Sequence, residues 1–227
     1  MPATLPTSLR RRTIALCLTF GLASADAFAH AAHAIEFSAD IVSRDSAGLA
    51  IGSAAKLYVS NHKVRIETPE ASAGFLLTDA DAGTAYFVRP AQQVFMDAKQ
   101  SSLLTQIFVP VDAKDPCRRW QAAAGIAGGT NAGGEWRCER INDEFVGDRR
   151  AALFHVASAG SASQRWIDSD LEFPIKLLAA DGTTIALEHI QIEAQPPSLF
   201  ELSPGFRKLD PRALIERIKH SDAWVDP

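Results

Sequence analysis

Ile35-Glu36-Phe37-Ser38-Ala39-Asp40-Ile41 alternates apolar and polar side chains without a break. A strand sends successive side chains to opposite faces, so Ile35, Phe37, Ala39 and Ile41 share one face and Glu36, Ser38 and Asp40 the other. This is the pattern of a half-buried strand. It returns at Leu57 and Val59, at Val64 and Ile66 between Lys63, Arg65 and Glu67, and at Leu171, Phe173, Ile175 and Leu177 against Glu172, Pro174 and Lys176. Pro174 has no N–H to give to a ladder, which predicts an edge or a bulge at that place.

Turn residues separate these segments at short intervals: Asn61-His62, Asp79-Ala80-Asp81-Ala82-Gly83, Arg89-Pro90, Gly147-Asp148 and Asp181-Gly182. Short strands joined by tight turns pair antiparallel, and about ten of them exceed what a flat sheet carries without curling. The expected class is mainly β (α+β), built on a strongly curved antiparallel sheet or half-barrel. Helical signals are few. One covers Ser101 to Phe108 and a second runs from Pro116 to Ala124. The third is a C-terminal helix capped by Asp210, with Pro211 at its first position and Leu214, Ile215 and Ile218 forming a stripe opposite Arg212, Glu216 and Lys219.

Phe75-Leu76-Leu77 and Ala85-Tyr86-Phe87-Val88 carry large apolar groups on both faces, where an ordinary antiparallel sheet keeps one face wet. Either helices cover the second face, or the sheet curls around an interior filled by side chains, a plug or an apolar ligand.

The first 29 residues read as an export signal. Arg10, Arg11 and Arg12 precede an apolar run from Thr13 to Ala23, too short to span a bilayer, and Ala27-Phe28-Ala29 has the small-x-small form of a cleavage site. Ala32-His33-Ala34 has the same form, so cleavage is expected after Ala29 or Ala34. Cys17 lies in the apolar run, but the bulky Leu16 before it does not suit lipidation. No later segment is long and apolar enough for a transmembrane helix, so a soluble periplasmic product is expected: residues 1–29 as signal and 30–227 as one domain.

Three arginines and one aspartate leave with the signal, which takes the formal net charge from −4 to −6. That balance argues against nucleic acid and against a polybasic grip on anionic lipid. Two cysteines remain, Cys117 and Cys138, and in an oxidising compartment a disulfide is the expected pairing. A metal site would need more Cys or His at ligand spacing, and a redox motif would need a C-x-x-C. Gly125 to Gly134 lies between them, so the bridge is expected to staple an insertion over residues 110–138.

Chemistry-bearing motifs are sparse. Asp79-x-Asp81-x-Gly83 resembles the start of a calcium loop, but Pro90 stands where an EF-hand places its bidentate Glu, leaving a hairpin turn. The glycines near Gly128 and Gly133 lack the Lys and Ser/Thr of a phosphate loop. The six histidines are scattered, Asp143/Glu144 and Asp168/Asp170 fall in turns, and no nucleophile elbow is present. No enzyme, cofactor or metal site is expected.

Arg165-Trp166-Ile167-Asp168, then Leu171-Glu172-Phe173-Pro174-Ile175-Lys176, Asp181-Gly182 and Leu199-Phe200-Glu201-Leu202-Ser203-Pro204-Gly205-Phe206 follow in an order that resembles the LolA-like superfamily of exported lipoprotein carriers and outer-membrane lipoprotein-sorting relatives. Phe37-Ser38-Ala39-Asp40, Lys56-Leu57-Tyr58 and Lys63-Val64-Arg65-Ile66-Glu67 look like that family's opening strands. The resemblance implies an antiparallel half-barrel with helices over its concave face and acyl chains or lipid-like molecules as ligands. The Cys117 to Cys138 insertion and the helix after Asp210 depart from it.

If the interior is a cavity, Phe75, Leu77, Phe87, Phe95, Phe108 and Trp166 are the expected lining; if it is filled, they are plain core. The leading functional expectation is a non-enzymatic periplasmic protein binding a lipid or lipoprotein acyl chain. The alternative is an envelope protein-interaction or sensor domain with a filled core.

Overall fold

The computed structural model describes residues 35–69, 74–98, 104–126, 135–158 and 161–210. The signal segment, the glycines from Gly128 to Gly134 and the C-terminal helix after Asp210 lie outside them. The fold that follows is that of the unit Ala34–Pro227.

Its strands are β1 (Glu36–Arg44), β2 (Ala55–Ser60), β3 (Lys63–Glu67), β4 (Phe75–Asp79), β5 (Thr84–Arg89), β6 (Val94–Asp97), β7 (Trp136–Val146), β8 (Arg149–Ser158), β9 (Ser161–Asp168), β10 (Phe173–Ala179), β11 (Thr184–Ile192) and β12 (Arg207–Lys208). Helices α1 (Leu104–Ile107) and α2 (Pro116–Ile126) lie between β6 and β7. All twelve strands join one open sheet in the order β12-β6-β5-β4-β3-β2-β1-β11-β10-β9-β8-β7. Two antiparallel meanders, β1 to β6 and β7 to β11, meet where β1 pairs with β11.

The expected strand total of about ten is two short, because β6 and β12 hold only four and two residues, too few for alternation to show. β12 is also the exception to the antiparallel rule, lying parallel to β6. β1 buries Phe37, Ala39 and Ile41 as the alternation requires. β10 is not an edge: it sits between β9 and β11, and Pro174 is accommodated by a bulge between Pro174 and Lys176. Asp79 fixes the β4–β5 turn by accepting the N–H groups of Asp81 and Ala82.

The largest core lies on the face that carries Phe37, Leu57, Val59, Val64, Ile66 and Leu76, where Ile107 and Phe108 cover it. Phe173 meets Phe37 edge-on at 5.2 Å and stacks with Phe108 at 6.3 Å. Phe75 and Leu77 flank Leu76 in the strand and so point the other way. With Val88 they form a separate cluster under Phe200, against which Leu199, Leu202 and Phe206 pack. Both faces of the first meander are therefore covered, one by the α1–α2 segment and the other by the segment after β11.

Candidate functional site

The α1–α2 segment brings together an apolar seam, a cover packed on the sheet and, among the described residues, a buried polar group without a hydrogen-bond partner. Pro110 and Pro116 bracket a short loop, and Pro116 opens α2, where its missing N–H costs no helical hydrogen bond. Trp120, fully buried, donates its indole N–H to the Ile107 carbonyl at 3.2 Å and so joins the two helices. The Val111 N–H reaches the Glu172 carbonyl at 2.9 Å, tying the loop to the β9–β10 turn. Val109, Val111, Trp120 and Ala123 pack on Ala152, Phe154, Val156 and Ile167 as a second core cluster.

Cys117 and Cys138 are bonded, with Cα atoms 5.7 Å apart, so the second residue of α2 is fixed to β7. Closing 21 residues of chain in this way contributes about 3 kcal/mol through the unfolded state. The opposite flank of α2 meets the β4–β5 hairpin through alanines. A mainly apolar space of about 40 Å³ remains there, between Thr78, Thr84 and Ala85 of the sheet and Val109, Pro110, Ala122 and Ala123 of the cover, with the charged Asp79 and Arg119 also in its lining. The Thr78 hydroxyl is buried without a hydrogen-bond partner among the described residues.

Arg165 of β9 lies beneath the cover. Its Cζ is 4.3 Å from the centre of the Trp120 ring and 5.9 Å from that of Trp136. The residue is 8 % exposed, Nε reaches Ser163 Oγ at 3.3 Å, and Nη1 has no partner among the described residues. Burial alone pushes its pKa down to about 10, because a desolvated cation loses hydration that no carboxylate here replaces.

The six expected lining residues separate into two groups. Phe108 and Trp166 belong to the main core, and Phe87 packs against it. Trp166 is engaged on its edge by the Glu144 carboxylate at 2.9 Å and on its face by Lys176 Nζ at 4.5 Å. Phe75, Leu77 and Phe95 sit together on the opposite face, under the segment after β11. None of the six borders the 40 Å³ space beside α2. Asp168 of the Trp-x-Asp motif is buried against Arg149 and accepts the N–H groups of Asp170 and Leu171, so it braces the β9–β10 turn.

Sequence reasoning passed over Trp120, Trp136, Thr78 and the role of Arg165. A cation in an alternating strand ordinarily points to water, and nothing local to Arg165 says that an aromatic ring from an earlier helix will close over it.

No protein-family model matches the sequence, and no curated protein matches it. Solved structures do. The chain is similar to PNGF-II, with a TM-score of 0.50 at 6 % identity over 82 % of this chain and 33 % of that one. It is similar to MucB in the Pseudomonas aeruginosa MucA/MucB complex, with a TM-score of 0.38 at 15 % identity over 72 % of this chain and 54 % of that one. It is also similar to a LolA superfamily protein from Nitrosomonas europaea, with a TM-score of 0.31 at 9 % identity over 74 % of this chain and 90 % of that one. The chain spans about a third of the length of PNGF-II and about half that of MucB. At 6 % identity the likeness to PNGF-II is one of fold.

Proposed function

We propose that the protein is exported to the periplasm by residues 1–29 and there shelters a lipid, or the acyl chain of a lipoprotein, beneath the α1–α2 cover without altering it chemically. The observation that carries this reading is the apolar space at the seam between α2 and the β4–β5 hairpin. At about 40 Å³ it is well below the ~300 Å³ at which ligand pockets begin, so in this reading the ligand enters as the cover lifts. The disulfide holds the other flank of α2 and supplies the pivot. Each acyl CH₂ withdrawn from water contributes about 0.8 kcal/mol, which gives useful affinity with little polar selectivity.

Locking the seam tests this. Ala122→Cys combined with Thr84→Cys, bridged by a short bis-maleimide, is expected to cut uptake of a fluorescent fatty acid at least tenfold, while each single variant binds like the parent. A bridged protein that takes up the probe as fast as the parent would refute the cover as the way in.

A second reading is supported by the outer edge of β7. This terminal strand exposes Ile141 and Phe145, and Phe145 is 74 % open to solvent. An uncovered strand with apolar side chains suits an extended segment of another envelope protein. Phe145→Lys would abolish such binding and leave fatty-acid uptake intact.

A further inference from the structure

Arg165 is held one acceptor short. In register it stands beside Phe154 of β8 and Leu177 of β10, which sends its guanidinium under α2 and not to solvent. Trp120 and Trp136 stack near it and offset part of its desolvation through their ring faces. Ser163 takes one N–H, and Nη1 remains without a partner among the described residues. Among the described residues no carboxylate forms an ion pair with it. A cation withdrawn from water in this way gains much from an anion and little from a neutral ligand.

Two of its neighbours also line an open groove of about 640 Å³. Trp136 and Phe154 border it, as do the Cys117–Cys138 bridge, the Lys114 side chain and Arg140, which is itself paired with Asp143. The acidic group in this lining, Asp115, is occupied by the Arg118 side chain at 3.7 Å. Trp136 belongs to the terminal strand β7, is half-buried, and stands farther from the guanidinium than Trp120 does. It is therefore the side of the sandwich that can give way.

We infer that this groove receives the anionic head of an amphiphile, a carboxylate or a phosphate, with Arg165 as the buried contact and Trp136 as the ring that moves aside. The tail of that ligand rests on the proposed acyl site under α2. The planar guanidinium fork matches both oxyanions, and Lys114 supplies charge at the entrance.

Calorimetric titration of the mature protein with dodecanoate, dodecyl phosphate, dodecyl maltoside and inorganic phosphate, all below micelle formation, tests the site. A hydrogen bond to a charged group predicts that the two anionic amphiphiles bind at least about tenfold tighter than the maltoside. Arg165→Gln is expected to bring them to the maltoside's affinity without changing the latter, and Arg165→Lys to retain part of the preference. Arg165→Met, with an unchanged thermal midpoint and the same loss of preference, separates recognition from folding.

Equal affinity of the parent for anionic and neutral chains would overturn the anion site while leaving the acyl shelter standing. Failure of every amphiphile would overturn the shelter. In that case, phosphate binding that disappears in Arg165→Gln would still support the anion site, with a free oxyanion as its source. Absence of phosphate binding as well would end both.

Discussion

Two arginines among the described residues lie over aromatic rings, and they are not alike. Arg65 sits 3.5 Å above the Phe75 ring, pairs with Glu67 at 2.6 Å and donates to the Leu199 carbonyl at 3.0 Å. Arg165 sits 4.3 Å from Trp120 and, among the described residues, has no carboxylate partner and one unpaired nitrogen. The first is complete. It fastens the segment after β11 to one face of the sheet, with its charge already answered by Glu67. The second fastens α2 to the other face but leaves charge uncompensated under the cover. One stacking motif thus holds a face with its polar contacts satisfied in one place and, among the described residues, with a nitrogen unsatisfied in the other.

The sharpest way to break this contrast is to remove the rings. Trp120→Ala is expected to cost about 3–5 kcal/mol in chemical denaturation, since a fully buried indole is lost and the two helices part. Removing the bridge as Cys117→Ser with Cys138→Ser should cost about 3 kcal/mol by the same measurement and raise the rate of probe uptake, as the pivot loosens.

The arginines themselves then differ in sign of consequence. Arg65→Met gives up a cation–π contact, an ion pair and a carbonyl bond, and should cost about 2 kcal/mol. Arg165→Met replaces an unpaired buried charge by an apolar chain of similar length and should lie within about 0.5 kcal/mol of the parent. Equal losses at the two sites would mean that Arg165 is paired in solution and would remove the contrast.

The smallest effect belongs to a surface cluster that serves as a scale. The Lys56 ammonium, and after it the His189 ring at 2.9 Å, hold the Asp40 carboxyl below its ordinary pKa. A carboxylate lowered on folding adds stability that is fully present above the unfolded value of about 4 and is lost as pH falls through the lower folded value. Carbon-detected NMR should therefore show Asp40 titrating later on acidification than a free aspartate, and Lys56→Met should move it back.

Much of the sheet was legible because alternation is a local signal. Phe37, Ala39 and Ile41 are buried as their spacing requires, the Asp79 turn forms, and Pro116 starts a helix. Pro174 allowed an edge or a bulge, and only pairing on both sides could decide for the bulge. The two-faced strand at Phe75-Leu76-Leu77 was legible as doubly covered, but not by what: Phe75 and Leu77 meet Phe200, and the next residue's face meets the α1 cover. The site was far less legible. Arg165 differs from a solvated strand arginine only through Trp120 and Trp136, which come to it from an earlier helix and a distant strand. Contacts of that range leave no mark in the local pattern.

The most direct measurement is to purify the exported protein without detergent, extract it with organic solvent and weigh the lipid that remains with it against protein by mass spectrometry. We expect lipid near one per chain, anionic in its head, and depleted in Arg165→Gln. A lipid-free protein that also fails to take up a fluorescent fatty acid would contradict the shelter beneath α2 and leave the β7 edge as the working surface.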